Sequence, residues 1–188
     1  HGQSEWNAAG RWQGQADPPL TDLGELQATH AAQSIGTVDA VFCSTLQRAQ
    51  RTAEIIVAAL GMSPVVTLDE LVERHAGDWQ GLTRAEIDVR YPGYLAEHRR
   101  PDGWESDEDV SARAWAALGA IDRWLDGGEA VVVTHGGIIY QVERDLGAPF
   151  ERISNLGGRW VDSVDGGFAL GDRLELLEGA EITVPNQI

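Results

Sequence analysis

The chain has 188 residues, 43% of them hydrophobic, and a formal net charge of −16. That length suits one domain with a full core, while so large an acidic surplus excludes nonspecific nucleic-acid binding, which needs a cationic surface. No apolar run approaches the ~20 residues that cross a bilayer, and a single cysteine, Cys43, excludes an intramolecular disulfide.

The chain opens on His1-Gly2-Gln3-Ser4-Glu5-Trp6-Asn7. Thr21 precedes a helical pattern through Leu23, Leu26, Ala31 and Ile35, ended by Gly36. The run Ala40 to Cys43 reads as a buried strand, which makes Cys43 a structural thiol suited to a reducing cytoplasm. Ser44 and Gln47 have capping-box spacing, so a helix is predicted from Ser44 through Ala49, Ala53, Ile56 and Leu60 to Gly61. Val65 to Leu68 is a second short strand. Ser106 caps a long helix with Asp107, Glu108 and Asp109 in its first turn and Gly127-Gly128 at its end. Ala130 to Thr134 is a third strand, and a helix follows Gly137. Leu174 to Leu177 and Ile182 to Val184 are weaker strand candidates in a tail, after Gly157, that reads as loops with short strands. Strands separated by helices predict an α/β fold: a three-layer sandwich with a mostly parallel central sheet flanked by helices.

Two His-Gly pairs stand out, His1-Gly2 and His135-Gly136-Gly137, the second at the exit of the run Ala130 to Val133. A histidine at a strand end, followed by glycine, puts an imidazole at a sheet edge where backbone amides are also free. Three ordered segments lie between the pairs: QGQADPPLTDLG from Gln13 to Gly24, STLQRAQRTA from Ser44 to Ala53, and Glu73 with Gly77 and Gly81 in ERHAGDWQG. On these five blocks the chain resembles the histidine phosphatase superfamily, the phosphoglycerate-mutase-like proteins. The arginine that precedes the first histidine in that family has no counterpart here, and the only methionine is Met62. The expectation is therefore one domain over 1–188 whose first strand and preceding arginine are missing from this sequence.

The resemblance implies phosphoryl transfer through a phosphohistidine. His1 is the expected nucleophile, with its attacking nitrogen unprotonated and the other nitrogen donating to a backbone carbonyl. Arg48 is the expected phosphate-binding guanidinium, through two parallel hydrogen bonds at a helix start. Glu73 is the general acid, then the base that activates water. His135 donates to the transferring group, and Gly136 lets backbone approach it. Asn7 and Gln13 are candidate amide donors to phosphate oxygens. Arg51 is expected in a structural ion pair rather than at the site. Trp6, Trp12, Trp79 and Trp104 are candidate pocket walls, and specificity is expected to come from Tyr91 to Trp104 and from the tail near Asn155 to Trp160.

The reading carries no cofactor and no metal site. His30, His75 and His98 lack metal-ligand spacing. The expected partner is a small phosphorylated substrate, with no nucleic acid and no membrane; a homodimer is left open. The stretch between Glu73 and His135 is short for a mutase cover, which favours a phosphatase acting on a sugar phosphate or phosphoglycerate derivative. A phosphoglycerate-type mutase and a noncatalytic phospho-ligand-binding module are the alternatives. A net charge of −16 repels such substrates, so arginines should gather in one pocket.

Overall fold

A computed structural model describes residues 1–62, 64–177 and 181–185. The helices are α1 (Glu5–Ala8), α2 (Asp22–Ser34), α3 (Gln47–Leu60), α4 (Arg84–Arg90), α5 (Asp107–Leu125) and α6 (Gly136–Asp145). β1 (Ala40–Ser44) lies between β2 (Val66–Leu68) and β3 (Ala130–Val133) in a parallel sheet, with Phe42 opposite both Val66 and Val132.

The central strand β1 is buried on both faces, because successive side chains point to opposite sides and both are covered. Val41, Cys43 and Val133 pack with Ala32 of α2 and with Ala49, Ala53 and Ile56 of α3. Ala40, Phe42 and Val132 face the other way, onto Leu71 and onto Ala117 and Ile121 of α5. The three-layer expectation holds. Burial pushes the Cys43 thiol up to about 12, so it is an inert packing group.

Three local expectations are corrected. Ser44 does not cap α3; it ends β1, and the helix starts at Gln47 after Leu46, which offers no cap. The Gln47 N–H instead donates to Asp17 Oδ1 at 2.8 Å, from a loop 30 positions earlier. The tail is not made of short strands. β4 (Gly157–Val164) and β5 (Gly167–Glu175) form an antiparallel hairpin, turned at Asp165-Gly166 with Gly166 at φ 88. Ile182 to Val184 is not a strand, and β5 stops at Glu175, before Leu177. The hairpin docks on α6 through Arg173, which donates twice to the buried Glu143 carboxylate. Ser106 does cap α5, accepting from the Asp109 N–H at 3.0 Å. Among the described residues, no helix is long and apolar enough to cross a membrane.

Candidate active site

The carboxyl end of β3 opens onto a cavity of about 840 Å³, lined in part by His1, Asn7, Gln13, Glu73, His135 and Gly136. Six of the seven expected site residues therefore share one wall system. The seventh, Arg48, is fully buried beneath it.

The segment that carries His1 is stitched down by backbone. The Gly2 N–H donates to Thr52 Oγ1 of α3, and the Gln3 N–H to Gln27 Oε1 of α2. A Cβ on Gly2 would collide with the Gly24 carbonyl, and one on Gly24 with the Gln3 carbonyl. Those glycines are required by the close approach of the loop to α2. The His1 Nδ1 lies 2.7 Å from the Gly2 carbonyl oxygen. A carbonyl only accepts, so Nδ1 carries the proton, and in the neutral ring Nε2 holds the free lone pair. The His1 and His135 ring centroids are 5.1 Å apart. Two imidazoles at that spacing can meet one tetrahedral oxyanion.

Ser4 and Asn155 orient the amides. Ser4 Oγ accepts from the Asn7 N–H and donates to Gln13 Oε1 at 2.6 Å. Asn7 Oδ1 accepts from the Ser4 N–H and from Asn155 Nδ2. With their oxygens engaged, Asn7 and Gln13 are left with amide N–H groups to offer the cavity. Asn155 also donates to the His1 carbonyl, as does the Leu156 N–H. Leu156 adopts φ 57, a left-handed conformation that costs a non-glycine residue about 1–2 kcal/mol. Sequence reasoning placed this tail at the pocket but missed these contacts; no local pattern signals that Asn155 will meet residue 1.

Glu73 lies half-buried against the start of α6. Its carboxylate accepts from the Arg74 N–H at 2.7 Å and the Gly137 N–H at 3.2 Å. Burial pushes its pKa up, against the lowering pull of those two N–H groups and of Arg48. The Arg74 side chain turns away, to Asp107 and Gln141. A Cβ on Gly137 would lie 3.1 Å from Glu73 Cδ and closer still to Oε1. The second glycine of the pair therefore makes room for the Glu73 carboxylate, a role sequence reasoning did not assign.

Arg48 follows the first residue of α3. Its terminal nitrogens donate to the carbonyls of Ala16 and Gly14, at 2.7 and 2.9 Å, which fixes the plane of the guanidinium. Burial lowers its pKa to about 10, so it stays charged at neutral pH. Its Nε has no partner among the described residues, and neither does Nδ1 of His135. His135 is 1% exposed. Burial, then the charge of Arg48, hold its pKa well below 6.5 and keep the ring neutral. Arg51 pairs with Glu25 at 2.7 Å, away from the site, as expected.

Trp12 and Trp104 line the cavity, whereas Trp79 is core beneath them and Trp6 does not line it. Leu95, His98 and Arg100 complete that wall, inside the segment expected to set specificity. Arg100 stacks 4.7 Å over the Trp104 ring and has no carboxylate partner among the described residues. Burial, then Arg74, lower its pKa. Among the described residues no group of three or more His, Cys, Asp or Glu side chains could hold a metal ion.

The family model of the histidine phosphatase superfamily (branch 1) matches residues 1–159. A glucosyl-3-phosphoglycerate phosphatase of Mycolicibacterium vanbaalenii is 37% identical, over 84% of this chain and 76% of that protein. A metal-independent phosphoserine phosphatase of Arabidopsis thaliana is 36% identical, over 74% of this chain and 63% of that protein. A mycobacterial glucosyl-3-phosphoglycerate phosphatase, solved as a complex with VO3, superposes with a TM-score of 0.82 at 30% identity, covering 90% of this chain and 93% of that one. The chain belongs to the histidine phosphatase superfamily.

Proposed function

We propose that this member of the histidine phosphatase superfamily is a phosphomonoesterase that hydrolyses a small phosphorylated metabolite, a sugar phosphate or phosphoglycerate derivative, through a phosphohistidine on His1. The observation that carries the reading is the His1 ring itself. Its Nδ1 is tied to the Gly2 carbonyl, and its centroid lies 5.1 Å from that of His135.

In the first step the Nε2 lone pair of His1 attacks phosphorus, the P–O ester bond breaks, and Glu73 gives its proton to the leaving oxygen. In the second, the Glu73 carboxylate takes a proton from water. The water oxygen attacks phosphorus, the P–N bond breaks, and phosphate leaves with His1 restored. Charge on the transferring oxygens is met by Arg48, His135 and the amides of Asn7 and Gln13. The Gly136 N–H at the start of α6, which has no acceptor among the described residues, adds to it; the next three are engaged by Glu73 and the His135 carbonyl. The steps use only groups of the chain, in keeping with the name of the metal-independent phosphoserine phosphatase relative. Arg100, which lines the cavity and has no carboxylate partner among the described residues, favours substrates that carry a further anionic group besides the phosphate. The free Cys43 thiol suits a cytoplasmic setting.

A panel of phosphorylated metabolites tests this reading, scored by phosphate release with and without a chelator. Hydrolysis indifferent to chelator and blocked by vanadate is expected. Phosphoryl migration stimulated by a bisphosphate primer would replace the phosphatase with a mutase. Binding of the whole panel without turnover would leave only a phospho-ligand-binding module.

A further inference from the structure

We propose that Ser44 is a positioning residue for His135: its hydroxyl donates to Nε2, so that the ring carries its proton on Nδ1 and offers that N–H to the transferring phosphoryl group. The inference deepens the phosphohistidine reading and rests on it for its catalytic meaning.

Ser44 is fully buried at the end of β1, and its Oγ lies 2.8 Å from His135 Nε2. That oxygen also accepts from the Leu46 N–H at 3.1 Å. A hydroxyl has one proton and two lone pairs. If Ser44 accepted from His135 as well, its own proton would have no acceptor among the described residues, in a place where an unmade hydrogen bond is costly. If it donates to Nε2, the hydroxyl is satisfied both ways: Leu46 donates in, Ser44 donates on, and the one hydrogen left without an acceptor among the described residues is that on Nδ1, where a phosphoryl oxygen can take it. The ring is neutral because burial and the charge of Arg48 disfavour the cation, so it has one N–H to place.

The remaining ring nitrogen fits the assignment. Nδ1 of His135 is closed off from solvent and has no partner among the described residues. A donor kept out of water beside His1 interacts strongly with charge that develops there. The other tautomer would aim a lone pair at an oxyanion, which repels. Ser44 therefore leaves its predicted role as a helix cap for a role at the site, and the strand exit that presents it follows from β1 and β3 being neighbours in one sheet.

Nitrogen-15 chemical shifts of the histidine side chains in the full chain, without substrate, test the assignment directly. The expected spectrum shows His135 with a protonated Nδ1 and a pyridine-type Nε2. S44A should release that preference and lower kcat by roughly 10²-fold, the scale for one lost transition-state donor, with little change in KM. S44T should restore both. A wild-type spectrum with the proton on Nε2 overturns the proposal, and so does a folded S44A with unchanged tautomer and unchanged kcat. Should S44A fail to fold, the wild-type spectrum alone decides. Because that spectrum needs no turnover, its failure is separable from failure of the phosphohistidine reading, which would show as undiminished hydrolysis without His1.

Discussion

Glu73 and Gly137 can only be understood together. The carboxylate occupies the volume that a side chain at 137 would fill, and it accepts from the backbone N–H there. Gly137→Ala should displace the acid and lower kcat by at least ~10²-fold on alkyl phosphates, the low end for a lost general acid; steady-state kinetics checks this. Glu73→Gln should cost ~10²–10⁴-fold on alkyl phosphates and far less on p-nitrophenyl phosphate, whose leaving group needs no proton. Equal losses on both would count against the acid role. The same substitution should stabilise the fold at neutral pH. Burial raises the folded pKa of Glu73 above its ordinary 4.5, so the native state favours the protonated form and the ionised group is a cost. That cost is present above the folded pKa and vanishes below about 4.5, where both states hold the proton. Thermal unfolding of wild type and Glu73→Gln should therefore diverge at pH 7 and converge near pH 4.

At the scale of elements, α3 and the β4–β5 hairpin show what holds the site's frame. Asp17 caps α3 from afar and sits near the guanidinium of Arg48, whose pKa it raises. Asp17→Ala should cost about 1 kcal/mol, the usual loss for an N-cap, read as a lower urea midpoint. Arg173→Ala should cost about 3 kcal/mol, the low end for breaking a buried pair, because Arg159 remains 3.5 Å from Glu143. The strands β1, β2 and β3 and the helices α2, α5 and α6 were legible because each carries its own signal: an apolar run, a capping serine or threonine, a stripe at helical spacing. His1, Glu73 and His135 were legible only through the ordered motifs around them. The start of α3, the clamp of Asn155 on His1 and the fit of Gly137 to Glu73 were not. Each pairs residues far apart in sequence, and nothing local to Asp17 or Asn155 announces the partner. The hairpin had a local signal, Asp165-Gly166-Gly167, but glycine-rich strands with half-exposed faces mimic loops.

The whole molecule sets charge against catalysis. Four of its 14 basic residues, Arg74, Arg84, Arg100 and Arg144, line the cavity, against two of its 30 acidic ones, Glu73 and Asp107. The pocket is locally cationic inside a strongly anionic protein. Beyond about 10 Å the net charge governs encounter, so kcat/KM for an anionic ester should rise modestly, about twofold, as ionic strength goes from about 0.01 to 0.1 M. A fall would mean that the arginines dominate even at long range. The central claim, that one imidazole carries the phosphoryl group between ester and water, is tested most directly by rapid acid-free quench of the enzyme with phosphorus-32-labelled substrate. The account predicts label on the protein that is stable to alkali, released by acid and mapped to His1, and predicts neither label nor turnover in His1→Ala. Full turnover in His1→Ala, or label that maps to another residue, would contradict it.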